Sequence, residues 1–212
     1  MYSFIKGKIS KKYVSLIKKS FNSLPNDEYL KFVNTNFRKR KFTKVILKKN
    51  KFVKIKNTNF IQNNVQNKFL GGILRKYKPI DKKILVYMNE IIKSEFKELF
   101  GGSDLEIGFH QIRITCGKNY IGYPVPEGWH RDGFDYVALI NFSNKNGHGG
   151  ITRIRDNINK NNRDTYSCKL EDGEYILIND KKFYHFADPI VMQKGKKIGF
   201  RDTLVITIKI LN

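Results

Sequence analysis

Six short apolar runs in the second half of the chain limit the folds that it can adopt. Each run is rich in β-branched and aromatic residues, and glycine, asparagine, aspartate and proline lie between the runs. They cover residues 105–115, 136–142, 150–154, 175–178, 183–186 and 203–210. A series of short strands separated by such turns is typical of an antiparallel sandwich or jelly roll. The sequence therefore predicts a mainly β fold for residues 101–212.

An amphipathic stretch near the start of the chain predicts a first helix. Val14, Ile17 and Phe21 recur at helical spacing within residues 10–24. Ser10 stands where a side-chain oxygen can cap the first turn. We expect this helix to bury one face against the β half.

A second helix and a hairpin are predicted before the β half begins. Residues 81–100 have apolar side chains along one helical face, and the glycine pair 101–102 stands where the helix would end. Residues 37–55 alternate apolar and lysine side chains as two strands would, with Lys49 and Asn50 as the turn between them.

The two halves are predicted to form one α+β domain over residues 1–212. No linker separates them, and 212 residues with 40% hydrophobic content can bury one core. About residues 1–100 would form a basic support region of helices and strands, and about residues 101–212 would form the jelly-roll core. The N-terminal helices are expected to brace that core.

The net charge of +22 belongs mostly to the first half. Residues 1–100 have 25 Lys and Arg against 6 Asp and Glu, while the remainder has 16 against 13. The basic run at residues 38–41, flanked by two phenylalanines, would suit a nucleic-acid phosphate backbone. Lysine and asparagine are abundant throughout, however, as in residues 157–162, which we expect to be an exposed loop. We therefore favour a compositional bias over a binding patch.

Cysteine content and hydropathy favour a cytoplasmic protein with no membrane partner. Cys116 and Cys168 lie far apart in sequence and suggest neither a disulfide framework nor a zinc site. Neither a signal peptide nor an apolar run of membrane-spanning length is apparent.

His130, Asp132 and His185 form the strongest candidate for a metal site. In an extended segment residues i and i+2 share one face, so His130 and Asp132 can both point inward. His185 lies in a separate strand-like run, which antiparallel pairing would bring beside them. Two imidazoles and one carboxylate are the facial ligand set of non-haem iron(II), with positions left open for a cosubstrate and dioxygen. A lone histidine is more often a packed residue, so the prediction depends on the whole set.

Arg201 is the candidate clamp for a dicarboxylate cosubstrate. It follows His185 by sixteen residues, at the head of the last predicted strand. Its planar guanidinium can donate two parallel hydrogen bonds to a carboxylate. The alternative is a surface ion pair with Asp202. His110 and His148 are interpreted as non-ligands, because the triad is complete without them.

Four stretches of the chain resemble iron(II)/2-oxoglutarate-dependent dioxygenases. They are residues 126–133, 149–154, 184–190 and 199–204. More narrowly, they resemble the bacterial group that includes the isoleucine dioxygenases, which hydroxylate free amino acids. The resemblance is clearest over residues 110–208, and weaker likeness extends upstream through Gln62, Asn67, the glycine pair 71–72 and Arg75.

The resemblance implies a double-stranded β-helix, a jelly-roll or cupin-like core, that holds Fe(II) through His130, Asp132 and His185. It implies 2-oxoglutarate as cosubstrate, with its C5 carboxylate bound by Arg201 and, on the same strand face, by Thr203. With dioxygen, the cosubstrate would be converted to succinate and CO2 while an unactivated carbon of a free L-amino acid is hydroxylated. Ascorbate is expected to help in vitro.

The substrate site is predicted from charge and from position near the motif. A free amino acid needs a cation for its carboxylate and acceptors for its ammonium group. The candidates are Arg113, Glu127, Arg131 and Asp135, of which Arg113 and Glu127 are preferred. Gln111 and Arg113 would form a polar strand face, with two isoleucines packing in the core on the other face. A solvated strand face is the alternative interpretation.

Two other functions remain open. The first is a nucleic-acid demethylase of the same superfamily, since the basic first half would suit phosphates. The repair dioxygenases have a second arginine six positions after the first, where this chain has Thr207, which counts against that function. The second is a non-catalytic basic module that binds nucleic acid. A small-molecule substrate is favoured over both, and the substrate's identity and the oligomeric state are left open.

Overall fold

The structure of the protein is a computed structural model that describes residues 3–30, 36–55, 59–62, 64, 71–156 and 163–211. The predicted loop at residues 157–162 lies outside these ranges. The α-helices are α1 (Lys11–Lys18) and α2 (Lys82–Ile91), followed by shorter helical turns at Lys19–Ser23, Ile92–Phe96 and Lys97–Phe100. The strands are β1 (Phe4–Lys8), β2 (Arg38–Lys48), β3 (Lys51–Lys54), β4 (Asn59–Phe60), β5 (Arg75–Lys76), β6 (Asp104–Gly117), β7 (Tyr136–Lys145), β8 (Gly147–Gly149), β9 (Thr152–Arg155), β10 (Tyr166–Cys168), β11 (Glu174–Asn179), β12 (Tyr184–Ala187), β13 (Ile190–Met192) and β14 (Ile198–Leu211).

Seven strands form one large antiparallel sheet, in the order β1-β11-β7-β14-β6-β2-β3. Smaller sheets are formed by β10-β9-β12, by β13-β8 and by β4-β5. The predicted mainly β class is therefore confirmed. Strands β1, β2 and β3 come from the first hundred residues, so that half of the chain contributes three strands of the large sheet as well as the helices.

Both predicted helices are found, and they pack on one face of the large sheet. The Ser10 hydroxyl accepts a hydrogen bond from the backbone N–H of Lys12 and caps α1. After α2 and its helical turns, Gly101 adopts a positive φ of 59°, which ends the helical segment. Ile17 and Met88 are fully buried in the core between the helices and the sheet. The N-terminal helices therefore brace the sheet through apolar burial, as predicted.

The predicted hairpin at the edge of the sheet is also found. Strands β2 and β3 pair through Lys48 and Lys51, with Lys49 and Asn50 between them. Lys49 and Asn50 have positive φ values of 45° and 64°. Two consecutive residues with positive φ form the tight turn that matches the twist of the flanking strands.

The two faces of the large sheet have different roles, because side chains alternate along each strand. On β6, Ile107 and Phe109 are fully buried in the core against the helices, whereas Ile112 and Ile114 line a cavity on the opposite face. Gln111 lies on the helix side as well, where its amide donates to the Ser20 hydroxyl at 2.6 Å. The two isoleucines therefore pack in a hydrophobic cluster, as predicted, and on that face they also form a wall of the cavity.

None of the helices in the described part of the chain has the length and apolar character that a membrane crossing requires.

Candidate active site

The cavity lies between the large sheet and the small sheet that contains β9 and β12. Its walls include side chains of β2, β6, β7 and β14 from the large sheet and of β12 from the small one. Leu139 and Val205, with the two isoleucines of β6, supply apolar surface. His130, Asp132 and His185 line the same space. The predicted site residues therefore meet a cavity that can hold small molecules.

Backbone pairing places the two histidines side by side. His130 and His185 form an antiparallel bridge in which each backbone N–H donates to the other's carbonyl, at 3.2 and 2.9 Å. Their ring centroids are 4.3 Å apart. His185 lies on β12, while His130 and Asp132 lie in the segment that precedes β7. The expected pairing is present, although the first two residues of the triad come from a bridged loop and not from a regular strand.

The three side chains converge in a geometry that could hold a metal ion. One potential ligand atom from each residue lies within 4.8 Å of the others. The Nε2 atoms of His130 and His185 lie 3.6 and 3.4 Å from the Asp132 carboxylate. The Nδ1 atom of His130 lies 3.1 Å from the carbonyl of Gly128, which can only accept, so Nδ1 carries a proton and Nε2 is the nitrogen available to a metal ion. Two imidazole nitrogens and a carboxylate oxygen fit iron(II).

The electrostatics of the triad favour an ionised carboxylate. Burial would lower the pKa of His130, but its hydrogen bond to Asp132 and the charge of that carboxylate raise the pKa to about 9. Burial would raise the pKa of Asp132, but hydrogen bonds and charges from both histidines hold it well below its usual range. A bound cation would take the place of the proton on His130.

Asp180 anchors the segment that contains Asp132. Its carboxylate accepts hydrogen bonds from the backbone N–H groups of Asp132, Gly133 and Phe134, at 3.1, 2.7 and 3.0 Å. The same carboxylate lies 3.6 Å from Nδ1 of His185. Asp180 is 1% exposed, and its hydrogen bonds fix the backbone of the segment that contains Asp132.

Replacing Asp180 with alanine is expected to weaken metal binding by about 10- to 100-fold, because the Asp132 segment loses the acceptor of three N–H groups. The affinity can be measured by isothermal titration calorimetry with Ni(II), a redox-stable substitute for Fe(II). Asp172→Ala is the matched control, since that carboxylate is 44% exposed and pairs with Lys18. An unchanged affinity in folded Asp180→Ala protein would contradict this role.

Gln62 connects the triad to a buried arginine. Its amide nitrogen donates to Asp132 at 2.8 Å, and its amide oxygen accepts from Arg75 at 2.7 Å. Gln62 therefore orients one oxygen of the candidate metal-binding carboxylate.

Arg201 is a buried cation that faces the cavity. It is the fourth residue of β14, which begins at Ile198 and therefore earlier than predicted. Arg201 is 5% exposed and donates to the hydroxyl of Thr152 at 3.3 Å, and no ion pair of Arg201 occurs among the described residues. Burial lowers its pKa to about 10, so it remains charged at neutral pH. A buried charge without a counter-ion fits an anionic ligand, and the C5 carboxylate of 2-oxoglutarate has the required charge.

The alternative pairing of Arg201 with Asp202 is not found. Asp202 points to the opposite face of β14, where Arg113 donates to both of its carboxylate oxygens at 2.6 and 2.7 Å. This pair corrects the preferred substrate residue, because Arg113 does not line the cavity and its guanidinium is already bound. The alternation of side chains along β6 and β14 places both residues on the helix side.

Two more of the predicted substrate residues lie outside the cavity. Arg131 donates to the backbone carbonyl of Lys181 and lies over the ring of Tyr184. Asp135 accepts from the backbone N–H of Ile210 at 2.6 Å and pairs with Lys181, in a neighbouring depression of the surface. Arg131 and Asp135 therefore have structural partners, and the structure corrects their predicted role.

The other two residues predicted to bind ligands line the cavity, and the two histidines interpreted as non-ligands lie outside the triad. Thr203 and Glu127 are part of the cavity wall. His110 also lines it, but it lies outside the group of three that could bind a metal. His148 is exposed on β8, and Thr207, in the place of a second arginine, contacts His110 at 3.4 Å.

The sequence prediction missed several polar residues of the cavity. Arg38 and Arg40 lie on β2, and their side chains point into the cavity, whereas Lys41 on the other face pairs with Asp81 at 3.0 Å. The basic run at residues 38–41 is therefore split between two faces and is not a surface patch. Alternation along the predicted strand was the available signal. Gln62, Arg75 and Asp180 had no assigned role, although the first two belonged to the resemblance.

Comparisons with known proteins agree with this geometry. The model of the family described as 2OG-Fe dioxygenase matches residues 18–207. The structure of IDO from Bacillus thuringiensis is similar, with a TM-score of 0.77 and 16% sequence identity over 99% of this chain and 91% of that chain. A bsmA homolog from Methylobium petroleophilum PM1 has a TM-score of 0.75 and 22% identity over 93% and 81%. TqaL, an Fe(II)/(alpha)ketoglutarate-dependent dioxygenase, has a TM-score of 0.65 and 13% identity over 98% and 82%.

These structural likenesses confirm the predicted jelly-roll fold. At identities of 13–22% they show the fold alone. No curated protein matches the chain.

Proposed function

The chain belongs to the 2OG-Fe dioxygenase family, and from this premise we propose that it hydroxylates an unactivated carbon of a free L-amino acid. The family implies Fe(II), 2-oxoglutarate and dioxygen as cofactor and cosubstrates. In the proposed reaction one oxygen atom enters the substrate as a hydroxyl group. The other enters succinate, which forms with CO2 from 2-oxoglutarate.

One observation supports this proposal most strongly: the triad and the buried cation Arg201 share one cavity. His130, Asp132 and His185 would hold the iron. Arg201 would bind the C5 carboxylate of 2-oxoglutarate, with Thr203 as a second donor. When bound, the metal supplies the oxidising chemistry.

The chain's own residues would bind and orient the reactants and exclude water. Asp180 and Gln62 hold the metal-binding side chains in position. Ile112, Leu139 and Val205 line the cavity with apolar surface, which suits a hydrocarbon segment and keeps water from the reacting carbon. Glu127 is the described carboxylate of the wall besides Asp132, and it suits the ammonium group of an amino acid.

A nucleic-acid substrate has less support. Arg38 and Arg40, from the basic run that would suit phosphates, line the interior cavity. Thr207 takes the place of the second arginine of the repair dioxygenases, and its hydroxyl contacts His110.

The test is a substrate panel. Purified full-length protein with Fe(II), ascorbate and 2-oxoglutarate is expected to release succinate when one of the twenty L-amino acids is added, with equimolar hydroxylated product. A methylated oligonucleotide and a salt titration of nucleic-acid binding form the second arm. Turnover with the oligonucleotide and with none of the amino acids would contradict the proposal and indicate a demethylase. Absence of succinate with every compound, despite tight nucleic-acid binding at physiological salt, would favour a non-catalytic module.

A further inference from the structure

Three arginines from the first half of the chain line the cavity away from Arg201. Arg38 and Arg40 lie on β2, and Arg75 lies on β5. They are 6%, 6% and 1% exposed. Buried arginines without a counter-ion are rare, so the partners of each one decide what the cavity can bind.

Arg38 has a carboxylate partner, whereas the other two have neutral ones. Arg38 donates through Nε to the buried carboxylate of Asp27 at 2.7 Å. Arg40 donates to Nδ1 of His110 at 2.5 Å, and Arg75 donates to the amide oxygen of Gln62 at 2.7 Å. Within the described ranges, neither Arg40 nor Arg75 forms an ion pair.

His110 does not supply a negative charge or compete for an anion. Arginine can only donate, so Nδ1 of His110 must accept from Arg40 and the imidazole proton lies on Nε2, toward Thr207. Burial, and next the charge of Arg40, hold the pKa of His110 well below its ordinary value. His110 is therefore a neutral acceptor that orients Arg40.

Aromatic rings hold the two cations near each other. The guanidinium carbon of Arg40 lies 4.6 Å from the ring centroid of Tyr77 and 5.2 Å from that of Phe60. The guanidinium carbon of Arg75 lies 4.7 Å from the same Phe60 ring. The Nε atoms of both arginines are buried and have no hydrogen-bond partner among the described residues. Stacking orients the two groups, but within the described part of the chain the two Nε donors have no acceptor and neither positive charge is in an ion pair.

Strand register separates these cations from Arg201. Across β6, Arg40 and Thr203 both lie opposite Ile112, on the two neighbouring strands. Two strand spacings separate their backbones by about 10 Å, and the two guanidinium groups have different partners: that of Arg40 contacts Tyr77 and His110, whereas that of Arg201 donates to Thr152. The cavity therefore contains two separate groups of buried cations, Arg201 in one and Arg40 with Arg75 in the other.

We infer that Arg40 and Arg75 form a second anion subsite that binds the carboxylate of the substrate, and that the enzyme accepts small carboxylic acids and rejects their amides. The choice of an amino acid as the ligand rests on the proposed function. Glu127 would then receive the ammonium group, and the aliphatic wall between the two anion positions would receive the carbon chain. A substrate without the carboxylate would leave the buried cations unpaired. The enzyme should therefore discriminate strongly between a carboxylic acid and its amide.

Binding without turnover provides the test. Full-length protein loaded with Zn(II), which has no redox chemistry, and saturated with 2-oxoglutarate is titrated calorimetrically with each of the twenty L-amino acids and with its carboxamide. The amino acid that binds is expected to lose about 10- to 100-fold in affinity on conversion to the amide. Arg40→Gln and Arg75→Gln should each lower the affinity for the amino acid by a similar factor. Lys39→Gln is the matched control, because Lys39 is the β2 neighbour of Arg40 and does not line the cavity.

Equal affinity for the amino acid and its amide would overturn the inference, and so would unchanged affinity in folded glutamine variants. If the glutamine variants do not fold, the comparison of acid and amide on the wild-type protein still decides. If no amino acid binds, pentanoate serves as a plain carboxylate probe. If pentanoate binds to the wild-type protein and not to Arg40→Gln, the subsite is supported and the amino-acid proposal is overturned. If neither the amino acids nor pentanoate bind, the subsite itself is overturned.

Discussion

Replacing His130 with alanine is expected to reduce substrate-dependent succinate formation to the background rate. The variant keeps only two of the three side chains that converge within 4.8 Å, and a facial site needs all three to hold iron while its remaining positions stay open. The backbone bridge to His185 uses main-chain atoms and survives the substitution, so the fold should persist. Succinate release and Ni(II) affinity are measured together, and both should fall.

The matched control is His148→Ala. His148 is exposed on β8 and lies outside the cavity, so its removal should change neither quantity. Undiminished turnover in the His130 variant would end the assignment of the triad as the iron site. Loss of turnover with full metal affinity would instead give His130 a role other than metal binding.

Replacing Arg201 with alanine is expected to weaken 2-oxoglutarate binding by about 30-fold or more, since the loss of a buried charge-assisted pair costs about 2–5 kcal/mol. Lysine at this position should recover only part of the affinity, because it offers a point charge where guanidinium offers a planar pair of donors. The dissociation constant can be measured by calorimetry on the Zn(II)-loaded protein.

Thermal unfolding distinguishes a binding role of Arg201 from a structural one. Without cosubstrate, Arg201 is a buried cation that has a hydroxyl partner and no ion pair among the described residues. Its removal should therefore leave the melting temperature of the free protein unchanged or raise it. Arg131→Ala, which removes an arginine outside the cavity, should leave the affinity for 2-oxoglutarate unchanged. Unaltered affinity in the Arg201 variant would exclude it as the clamp.

Local signals in the sequence predicted the elements of the fold well. Helical spacing located α1 and α2, and the Lys49-Asn50 turn located the β2–β3 hairpin. Strands such as β1, whose role depends on pairing with the distant β11, were not predicted. Local propensity indicates that a segment is extended, but it does not indicate which strand will be its neighbour.

The candidate site likewise contains residues that the sequence predicted and residues that it did not. The histidine and aspartate spacing, with Arg201, was sufficient to predict the triad and the cation, because those residue types have few roles in combination. Arg113 was predicted as a substrate residue and instead pairs with Asp202 on the helix side. Arg40 was attributed to compositional bias and instead lines the cavity. Both errors concern the face on which a charged side chain lies.

The sequence by itself determined a β-rich chain, its two helices and a ligand set typical of one oxygenase family. Only the tertiary structure decided which arginines face the cavity. The physical reason is that a strand has two faces of alternating side chains, and a sequence does not say which face meets the helices and which meets the small sheet. That choice is made by burial of Ile107 and Phe109 against the helices, which turns the opposite face of the sheet, with Arg40 and Arg201, toward the triad.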